Sequence, residues 1–333
     1  MTTSAAIPSL LVLRDHGLGD LLTAQPALHG LRRHFPKHDL VVTCPSWLVP
    51  LAAYLGTADR IVCEPFDVAG ADPSDHQRID HVLLENIRRT VPRADVLVSL
   101  RTPGPELLPI VTAYSPRQLV SYRYAPIEAT HLFPELDFSD HILKRWDRLL
   151  SVVGVALRDE DLYAQMQPPD THRRFTIVHA GAGSPSRRWP VRRWSAVVRF
   201  LEFSGHRVLL TGSAAESERV GRIRRAAGLP VGRDRAGRTP VLELAAYVAG
   251  ARLVVSADSG LSHLATTFRT PAVTLFGPVS PAWWGPPAGH PRHKTLWTGR
   301  HGDNYASRLD PGLAEIQVDA VIGAIEELQA EGV

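Results

Sequence analysis

Short apolar runs alternate along the chain with segments that have the period of an amphipathic helix. The runs cover residues 10–14, 40–43, 95–100, 175–180, 207–212, 252–257 and 271–277. Between them, apolar side chains recur every three or four positions, as at Ala24, Leu28, Leu31 and Phe35. Strands that are apolar throughout and separated by helices are typical of parallel sheets covered on both faces. The pattern therefore predicts an α/β fold with binding sites at the carboxyl ends of strands.

A polar stretch in the middle of the chain separates two patterns of this kind. Residues 157–174 carry a run of charges and Pro168-Pro169. A chain of 333 residues exceeds what one hydrophobic core usually organises, and we place a domain boundary within 168–172. The predicted parts are a first domain of 1–170, a second domain of 171–312, and a C-terminal helix of 313–333 able to pack back on either domain or across both.

The composition limits the class of protein. An apolar fraction of 44% with 21% charged residues describes a soluble globular chain, and a net charge of +3 makes nucleic acid an unfavoured partner. No window approaches the ~18 apolar residues of a membrane-spanning helix, and the N-terminus lacks the basic region of a signal peptide. Cys44 and Cys63 are too few for a disulfide framework or a four-ligand zinc site, which favours a cytoplasmic compartment. The oligomeric state stays open.

The stretch from Val254 to Pro278 places polar residues between two core elements. A strand pattern stops at Asp258, and the helix that follows has an apolar stripe formed by Leu261, Leu264, Ala265 and Phe268. The start of such a helix presents unpaired backbone N–H groups, and a glycine there lets an anion approach them closely. The stretch therefore predicts a phosphate site around Ser259, Gly260 and Leu261.

Two side chains near this helix start admit two interpretations each. Asp258 is either the N-cap or a carboxylate that faces a ribose, base or sugar hydroxyl, because a carboxylate repels a diphosphate. His263 shares a side of the helix with Ser259, Ser262 and Thr266. It is either part of the site or a partly exposed surface histidine.

A second strand-to-helix turn lies upstream, in the sequence HAGAGSPSRRWP. The residues of interest that follow the strand are Gly181, Gly183, Ser184, Arg187 and Arg188. Trp189-Pro190 then opens a helix. Arginine suits bidentate recognition of phosphate, although two adjacent arginines with no other signal more often belong to a solvent-exposed face. Two glycine-containing turns with convergent polar groups favour a nucleotide.

The sequence does not fit the common cofactor-binding fingerprints. A dinucleotide-binding G-x-G-x-x-G would need a third glycine, but that position holds Leu22 in the first half and Ser186 in the second. A P-loop G-x-x-x-x-G-K-[ST] is also missing from the sequence. The predicted phosphate-containing ligand is therefore neither a dinucleotide nor a P-loop triphosphate.

The first strand runs into a turn with a carboxylate at its exit. Gly17 and Gly19 precede Asp20, and His16 lies beside them in the turn. Asp20 is either a helix N-cap or a general base that takes a proton from a substrate hydroxyl. His16, with the two glycines, is a candidate for orienting that base or contacting an acceptor. Pro26 either kinks the helix that follows or lies in its first turn.

One acidic cluster resembles a metal site. Asp159-Glu160-Asp161 has the D-x-D pattern of a metal-dependent sugar-nucleotide site, in which two carboxylates hold a divalent ion. The cluster lies in the predicted linker and not at the end of a strand. We therefore expect no metal ion in the site.

Three segments together resemble glycosyltransferase family 9, the ADP-heptose:lipopolysaccharide heptosyltransferase group. GLGDLLTAQPALHGLRRHFP is similar to the family's N-terminal L-G-D-x-L-x-x-x-P-A-L signature. HAGAGSPSRRWPVRRW is similar to its central H-x-G-A…K-R-W-P-x-x-x-W element, and SADSGLSHLATTFRTPAVTLFGPVSP to its D-[ST]-G-x-x-H-x-A…P…L-[FY]-G-P element. The segments keep the family's order, and the resemblance is weak over 64–170.

The resemblance implies a GT-B fold, in which two Rossmann-like domains with parallel sheets face a central cleft. The first domain would bind the acceptor and the second the nucleotide sugar. Transfer would be inverting and metal-independent, with Asp20 as general base and no cofactor beyond the nucleotide-diphosphate sugar as co-substrate. By position, Ser259, Gly260, Leu261 and His263 match the diphosphate-binding helix start, with Asp258 beside it. Arg187 stands where the family usually has a phosphate-binding lysine, and Gly181, Ser184 and Arg188 complete the predicted donor site.

The sequence thus predicts a glycosyltransferase that moves heptose from ADP-heptose to a hydroxyl of a sugar-containing, lipid-linked acceptor at the inner membrane face. Three alternatives stay open. They are a transferase with another nucleotide sugar and a small-molecule or cell-wall acceptor, a non-catalytic nucleotide-sugar-binding protein, and a sugar-nucleotide epimerase of GT-B shape. The presence of Asp20 argues against the non-catalytic alternative.

Overall fold

The computed structural model describes residues 7–14, 17–64, 84–124, 133–290 and 292–332. The chain divides into two compact units, Met1–Leu162 and Tyr163–Val333. Within the described ranges, no helix combines the length and the apolar character needed to cross a bilayer. The boundary near 170 and the acceptor and donor roles of the two domains stay predictions.

The first unit is built on a parallel sheet. Its strands are β1 (Ser9–Leu13), β2 (Asp39–Pro45), β3 (Arg60–Glu64), β4 (Val96–Ser99) and β5 (Gln118–Val120). Their order across the sheet is β3-β2-β1-β4-β5, and Leu13 at the end of β1 pairs with Ser99 at the end of β4. Ligands of open α/β sheets bind at the carboxyl ends of strands where the strand order reverses. In this sheet that point lies between β1 and β4.

The helices of the first unit cover the sheet and include the segment that carries the predicted base. They are α1 (Leu18–Thr23), α2 (Gln25–His34), α3 (Val49–Leu55), α4 (84–90), α5 (Leu107–Tyr114) and α6 (Ile142–Ser151). Pro26 lies in the first turn of α2, where the N–H that proline lacks would be unpaired in any case. Leu11, Leu13, Leu97 and Ile110 are in one of the buried clusters of this unit.

The second unit has its own parallel sheet. Its strands are β6 (Phe175–His179), β7 (Arg207–Thr211), β8 (Leu253–Ala257), β9 (Ala272–Leu275) and β10 (His293–Leu296). The order is β10-β9-β8-β6-β7, and His179 at the end of β6 pairs with Ser256 near the end of β8. The order therefore reverses between β6 and β8, which makes their carboxyl ends the expected ligand site.

Helices connect and follow the strands of the second unit. They are α7 (Val191–Phe203), α8 (Ser217–Ala227), α9 (Val241–Ala249), α10 (Gly260–Thr267), α11 (Pro281–Trp284), α12 (Pro311–Glu315) and α13 (Val318–Ala330). The C-terminal helix α13 packs against α7, β9 and β10 and buries Val321, Ile325 and Leu328. Trp189 and Trp194 lie in the same core, with ring centroids 5.1 Å apart. Helix α13 thus contributes to the core of the second unit.

The predicted alternation of strands and helices is confirmed, and the strands that the sequence reasoning missed share one property. All three of them, β3, β5 and β10, lie at an edge of a sheet. Edge strands are covered on fewer sides and tend to be short and polar. Strand β5 has only three residues, and β10 has no buried residue, so neither produces a strong apolar run.

Candidate functional site

The carboxyl end of β8 delivers Asp258, Ser259 and Gly260 to the start of α10. Helix α10 begins at Gly260, and Ser259 is its N-cap in an extended conformation with φ −161°. The interpretation of Asp258 as N-cap is therefore wrong. The backbone N–H groups of Gly260 and Leu261 lie in the first turn, where a helix offers them no acceptor, while Ser262 donates its N–H to the Ser259 carbonyl at 3.0 Å. Such a helix start stabilises an anion.

Asp258 pairs with Arg187, the partner that the sequence reasoning did not identify. Nη1 of Arg187 donates to the Asp258 backbone carbonyl at 3.2 Å and lies 3.4 Å from Oδ2 of the carboxylate. The Asp258 side chain is 7% exposed and that of Arg187 is 20% exposed. The guanidinium compensates the negative charge that would otherwise repel a diphosphate.

Two hydrogen-bond donors at this point are left over. The Arg187 Nε and the Ser259 hydroxyl are buried, and neither has a partner among the residues that the structure describes. A buried donor without an acceptor costs free energy, and an accumulation of such donors calls for an explanation. An anionic ligand with several oxygen atoms would satisfy both donors.

The loop between β6 and α7 carries Arg187 and Arg188 and is fixed by its own polar groups. Ser184 caps a single 3-10 turn by accepting the Ser186 N–H at 3.4 Å. The Ser186 hydroxyl donates to the Asn304 carbonyl at 2.8 Å. Arg188 donates from Nε to the Ala182 carbonyl at 3.1 Å. The structure thus brings Ser184 and Arg188 into one loop with Arg187.

Gly181 lies against a carboxylate that the sequence reasoning missed. A Cβ at position 181 would stand 2.2 Å from the carboxyl group of Glu216. That carboxylate is not free to move aside, because Oε2 accepts both the Ser213 N–H at 2.7 Å and the Ser213 hydroxyl at 2.9 Å. Ser213 and Glu216 form a capping box. The pattern S-A-A-E after β7 is the sequence signal of such a box and would have indicated Glu216.

Glu216 interacts electrostatically with a half-buried histidine, His179. Nδ1 of His179 is 3.0 Å from the Thr211 hydroxyl. Burial lowers the pKa of the His179 imidazole, although Glu216 opposes that shift. Burial raises the pKa of Glu216, but His179, the Ser213 hydrogen bonds and Arg188 outweigh it and leave the pKa below its ordinary value. Glu216 is therefore an ionised acceptor at the carboxyl end of β7.

Leu261 and His263 differ in what their side chains offer a ligand. Leu261 is buried, so only its backbone N–H is available. His263 is partly exposed, and its ring lies beside the ring of Trp284, with centroids 6.4 Å apart. His263 therefore lies on the accessible side of α10.

In the first unit, Asp20 is held by a buried arginine at the end of β1. Nη2 of Arg14 donates to Oδ1 of Asp20 at 2.7 Å, and Nε donates to the Asp20 carbonyl at 2.9 Å. Nη1 donates to the Leu100 carbonyl at 3.0 Å, just after β4. Asp20 is the third residue of α1, and Gly17 is the N-cap, so the N-cap interpretation of Asp20 is also wrong. The carboxylate stands at the switch point of its sheet.

The remaining predicted residues are placed as follows. Gly17 is extended before α1, Gly19 lies within α1 and accepts the Thr23 hydroxyl at 2.9 Å, and His16 lies outside the described residues. Asp161 of the acidic cluster pairs with Arg33 at 2.6 Å. In the described parts of the chain, His, Cys, Asp and Glu side chains form no group of three or more suited to a metal ion.

Comparison with known proteins connects these features to one family. The family model "Glycosyltransferase family 9 (heptosyltransferase)" matches residues 148–302. Lipopolysaccharide heptosyltransferase 2 of Escherichia coli (strain K12) is 24% identical over 317 residues, which cover 88% of this chain and 89% of that protein.

Two solved structures share the fold. A family 9 glycosyl transferase from Veillonella parvula DSM 2008 has a TM-score of 0.76 at 18% identity and covers 97% of both chains. The E. coli ADP-heptose LPS heptosyltransferase II has a TM-score of 0.73 at 20% identity, covering 97% of this chain and 99% of the other. The expected GT-B fold is thereby confirmed. The chain is a heptosyltransferase-like glycosyltransferase, similar in sequence and in fold to members of glycosyltransferase family 9.

Proposed function

We propose that the protein transfers heptose from ADP-heptose to a hydroxyl of a lipopolysaccharide acceptor, with inversion and without a metal ion. The names of the similar proteins supply the donor and acceptor classes. The observation that carries the proposal is the arrangement at the ends of β6 and β8, where Arg187 compensates Asp258 and two buried donors have no partner among the described residues. The diphosphate of ADP has the negative charge that suits this arrangement and the oxygen atoms that can accept hydrogen bonds from both donors.

The second unit would bind and stabilise the leaving group. The diphosphate would accept hydrogen bonds from the N–H groups of Gly260 and Leu261, the Ser259 hydroxyl and the free donors of Arg187. Arg188 adds positive charge in the same loop. Donors that are already oriented before the reaction stabilise developing negative charge strongly, because they need no rearrangement. Arginine and backbone dipoles would supply the stabilisation that a divalent ion supplies in other enzymes.

The first unit would supply the base. As the acceptor oxygen attacks the anomeric carbon, its proton passes to the Asp20 carboxylate, and the bond between that carbon and the diphosphate oxygen breaks to release ADP. A single displacement of this kind inverts the configuration at the anomeric carbon. Arg14 would keep the Asp20 carboxylate oriented, since it donates to both the carboxylate and the backbone carbonyl of Asp20.

Two further features belong to the proposal. Asp258 and Glu216 would accept hydrogen bonds from hydroxyl groups of the nucleotide sugar, since both are carboxylates that follow strands of the same sheet. A lipid-linked acceptor would bring the protein to the cytoplasmic face of the inner membrane. No cofactor other than the nucleotide sugar takes part.

The test is a transfer assay with the purified protein, heptose-deficient lipopolysaccharide and a panel of ADP-, UDP- and GDP-sugars, with and without EDTA. We expect mass spectrometry to show addition of one heptose from ADP-heptose alone, at the same rate in EDTA, and NMR to show the inverted anomer. Equal transfer from UDP- or GDP-sugars would overturn the donor assignment. A strict requirement for a divalent ion would overturn metal independence.

A further inference from the structure

Arg219 links the two ends of the loop that carries Arg187 and Arg188. It is the third residue of α8 and is partly buried. Its Nε donates to the Ala180 carbonyl at 3.1 Å, and its Nη2 donates to the Trp189 carbonyl. Ala180 directly follows β6, and Trp189 stands two residues before α7. One side chain from a third element therefore joins the entry and the exit of the loop.

The chemistry of these contacts is specific to a guanidinium. Arginine has a planar fork of five N–H donors, so one side chain can bond two carbonyls that face different directions. Lysine presents a point charge on a flexible stem and would hold one carbonyl well. The contacts of Arg219 thus restrict the loop at both ends.

The charge of Arg219 also acts on the loop. The pKa of Arg219 is lowered to about 10, mainly by burial and further by the neighbouring Arg188 and Arg222. The guanidinium therefore stays protonated at neutral pH. Like charges repel, and a guanidinium held near Arg188 makes the loop more positive than its own residues do. A bound anion would relieve this repulsion, which favours the loop conformation that holds it.

We propose that Arg219 is a positioning residue of the donor site, which holds the β6–α7 loop in the conformation that binds the diphosphate of the donor. The inference rests on the proposed function for the identity of the ligand. The part of the inference that concerns the loop conformation does not depend on the proposed function. The observed hydrogen bonds of Arg219 go to the Ala180 and Trp189 carbonyls, so Arg219 acts on the ligand through Arg187 and Arg188.

The test compares Arg219→Met, Arg219→Lys and the control Arg225→Met, which removes an exposed arginine of the same helix. Calorimetry with ADP is expected to show binding about tenfold weaker in Arg219→Met, a smaller loss in Arg219→Lys, and no change in the control. In transfer kinetics the donor KM is expected to rise more than kcat falls, because the variant loses donor binding and keeps Asp20. ADP binding within twofold of the wild type in a folded Arg219→Met protein would overturn the proposal.

A second measurement separates this inference from the proposed function. Hydrogen exchange of the loop amides at 181–188 is measured in the protein without donor. We expect faster exchange in both Arg219 variants than in the wild type or Arg225→Met. Unchanged exchange in both variants would overturn the role of Arg219. If the wild type binds no ADP, the proposed function fails, while loop exchange still decides whether Arg219 positions the loop.

Discussion

Each unit has an arginine beside an aspartate at the carboxyl end of its sheet, and the two pairs use the arginine differently. Arg14, whose side chain is 5% exposed, donates to the Asp20 carboxylate, the Asp20 carbonyl and the Leu100 carbonyl. Arg187 is 20% exposed, lies 3.4 Å from the Asp258 carboxylate, and keeps a buried Nε with no partner in the described part of the chain. The same two residue types thus serve to fix a carboxylate in one unit and to leave donors for a ligand in the other.

The two aspartates differ in how exposed their side chains are. The Asp20 side chain is 25% exposed, and that of Asp258 is 7% exposed. A general base must come within hydrogen-bond reach of a substrate proton, which suits the more accessible carboxylate. A buried carboxylate beside an anion site acts through its charge and its hydrogen bonds. Under the proposed function, the first pair would carry out the chemistry and the second would bind the donor.

The largest expected effect is on turnover when Asp20 is changed. Asp20→Asn keeps an oxygen atom that can accept from Arg14 but removes the base, so kcat should fall by about 100- to 10,000-fold. The measurement is the rate of heptose transfer at saturating donor. Glu135→Gln is the matched control, because Glu135 is an exposed carboxylate of the same unit that pairs with Arg123. Turnover within threefold of the wild type in Asp20→Asn would remove Asp20 as the base.

The next effect is on stability when Arg14 is removed. Arg14→Met leaves Asp20 and the Leu100 carbonyl without their partner, and because the Arg14–Asp20 pair is only partly buried, the loss of a hydrogen bond to a charged group should cost about 1.5–3 kcal/mol of unfolding free energy. Urea unfolding measures the change. Arg123→Met removes one partner of an exposed pair and should cost less than about 1 kcal/mol. Equal midpoints for Arg14→Met and Arg123→Met would show that Arg14 does not hold the first site.

The sequence predicts the positions of Asp20 and Asp258 better than it predicts the arginines that pair with them. Asp20 and Asp258 follow apolar strands, so their placement at the carboxyl end of a sheet needs only the periodicity and the rule for open α/β sheets. Arg187 and Asp258 are 71 positions apart, and their contact depends on β6 and β8 being neighbours. A single sequence gives the strands but not their order, so the pair was not predictable.

Other parts of the site were missed for local reasons. Arg14 was counted within the first apolar run, but it directly follows β1, and only the fold places its side chain against Asp20. Glu216 lies in a capping box whose pattern is visible in the sequence. Arg219 looks like any other arginine on a basic helix. Its bonds to two backbone carbonyls have no sequence signature.

The central claim is that the Arg187–Asp258 pair binds the donor while the Arg14–Asp20 pair does not, and calorimetry with ADP tests it most directly. Removing a hydrogen bond to a charged group costs about 1.5–3 kcal/mol, so Arg187→Met should weaken ADP binding by about 10- to 100-fold. Asp20→Asn should bind ADP as the wild type does. Arg173→Met, which removes an exposed partner of Asp170 in the same unit, should also be unchanged. ADP binding within twofold of the wild type in Arg187→Met, or a comparable loss in Asp20→Asn, would contradict the account.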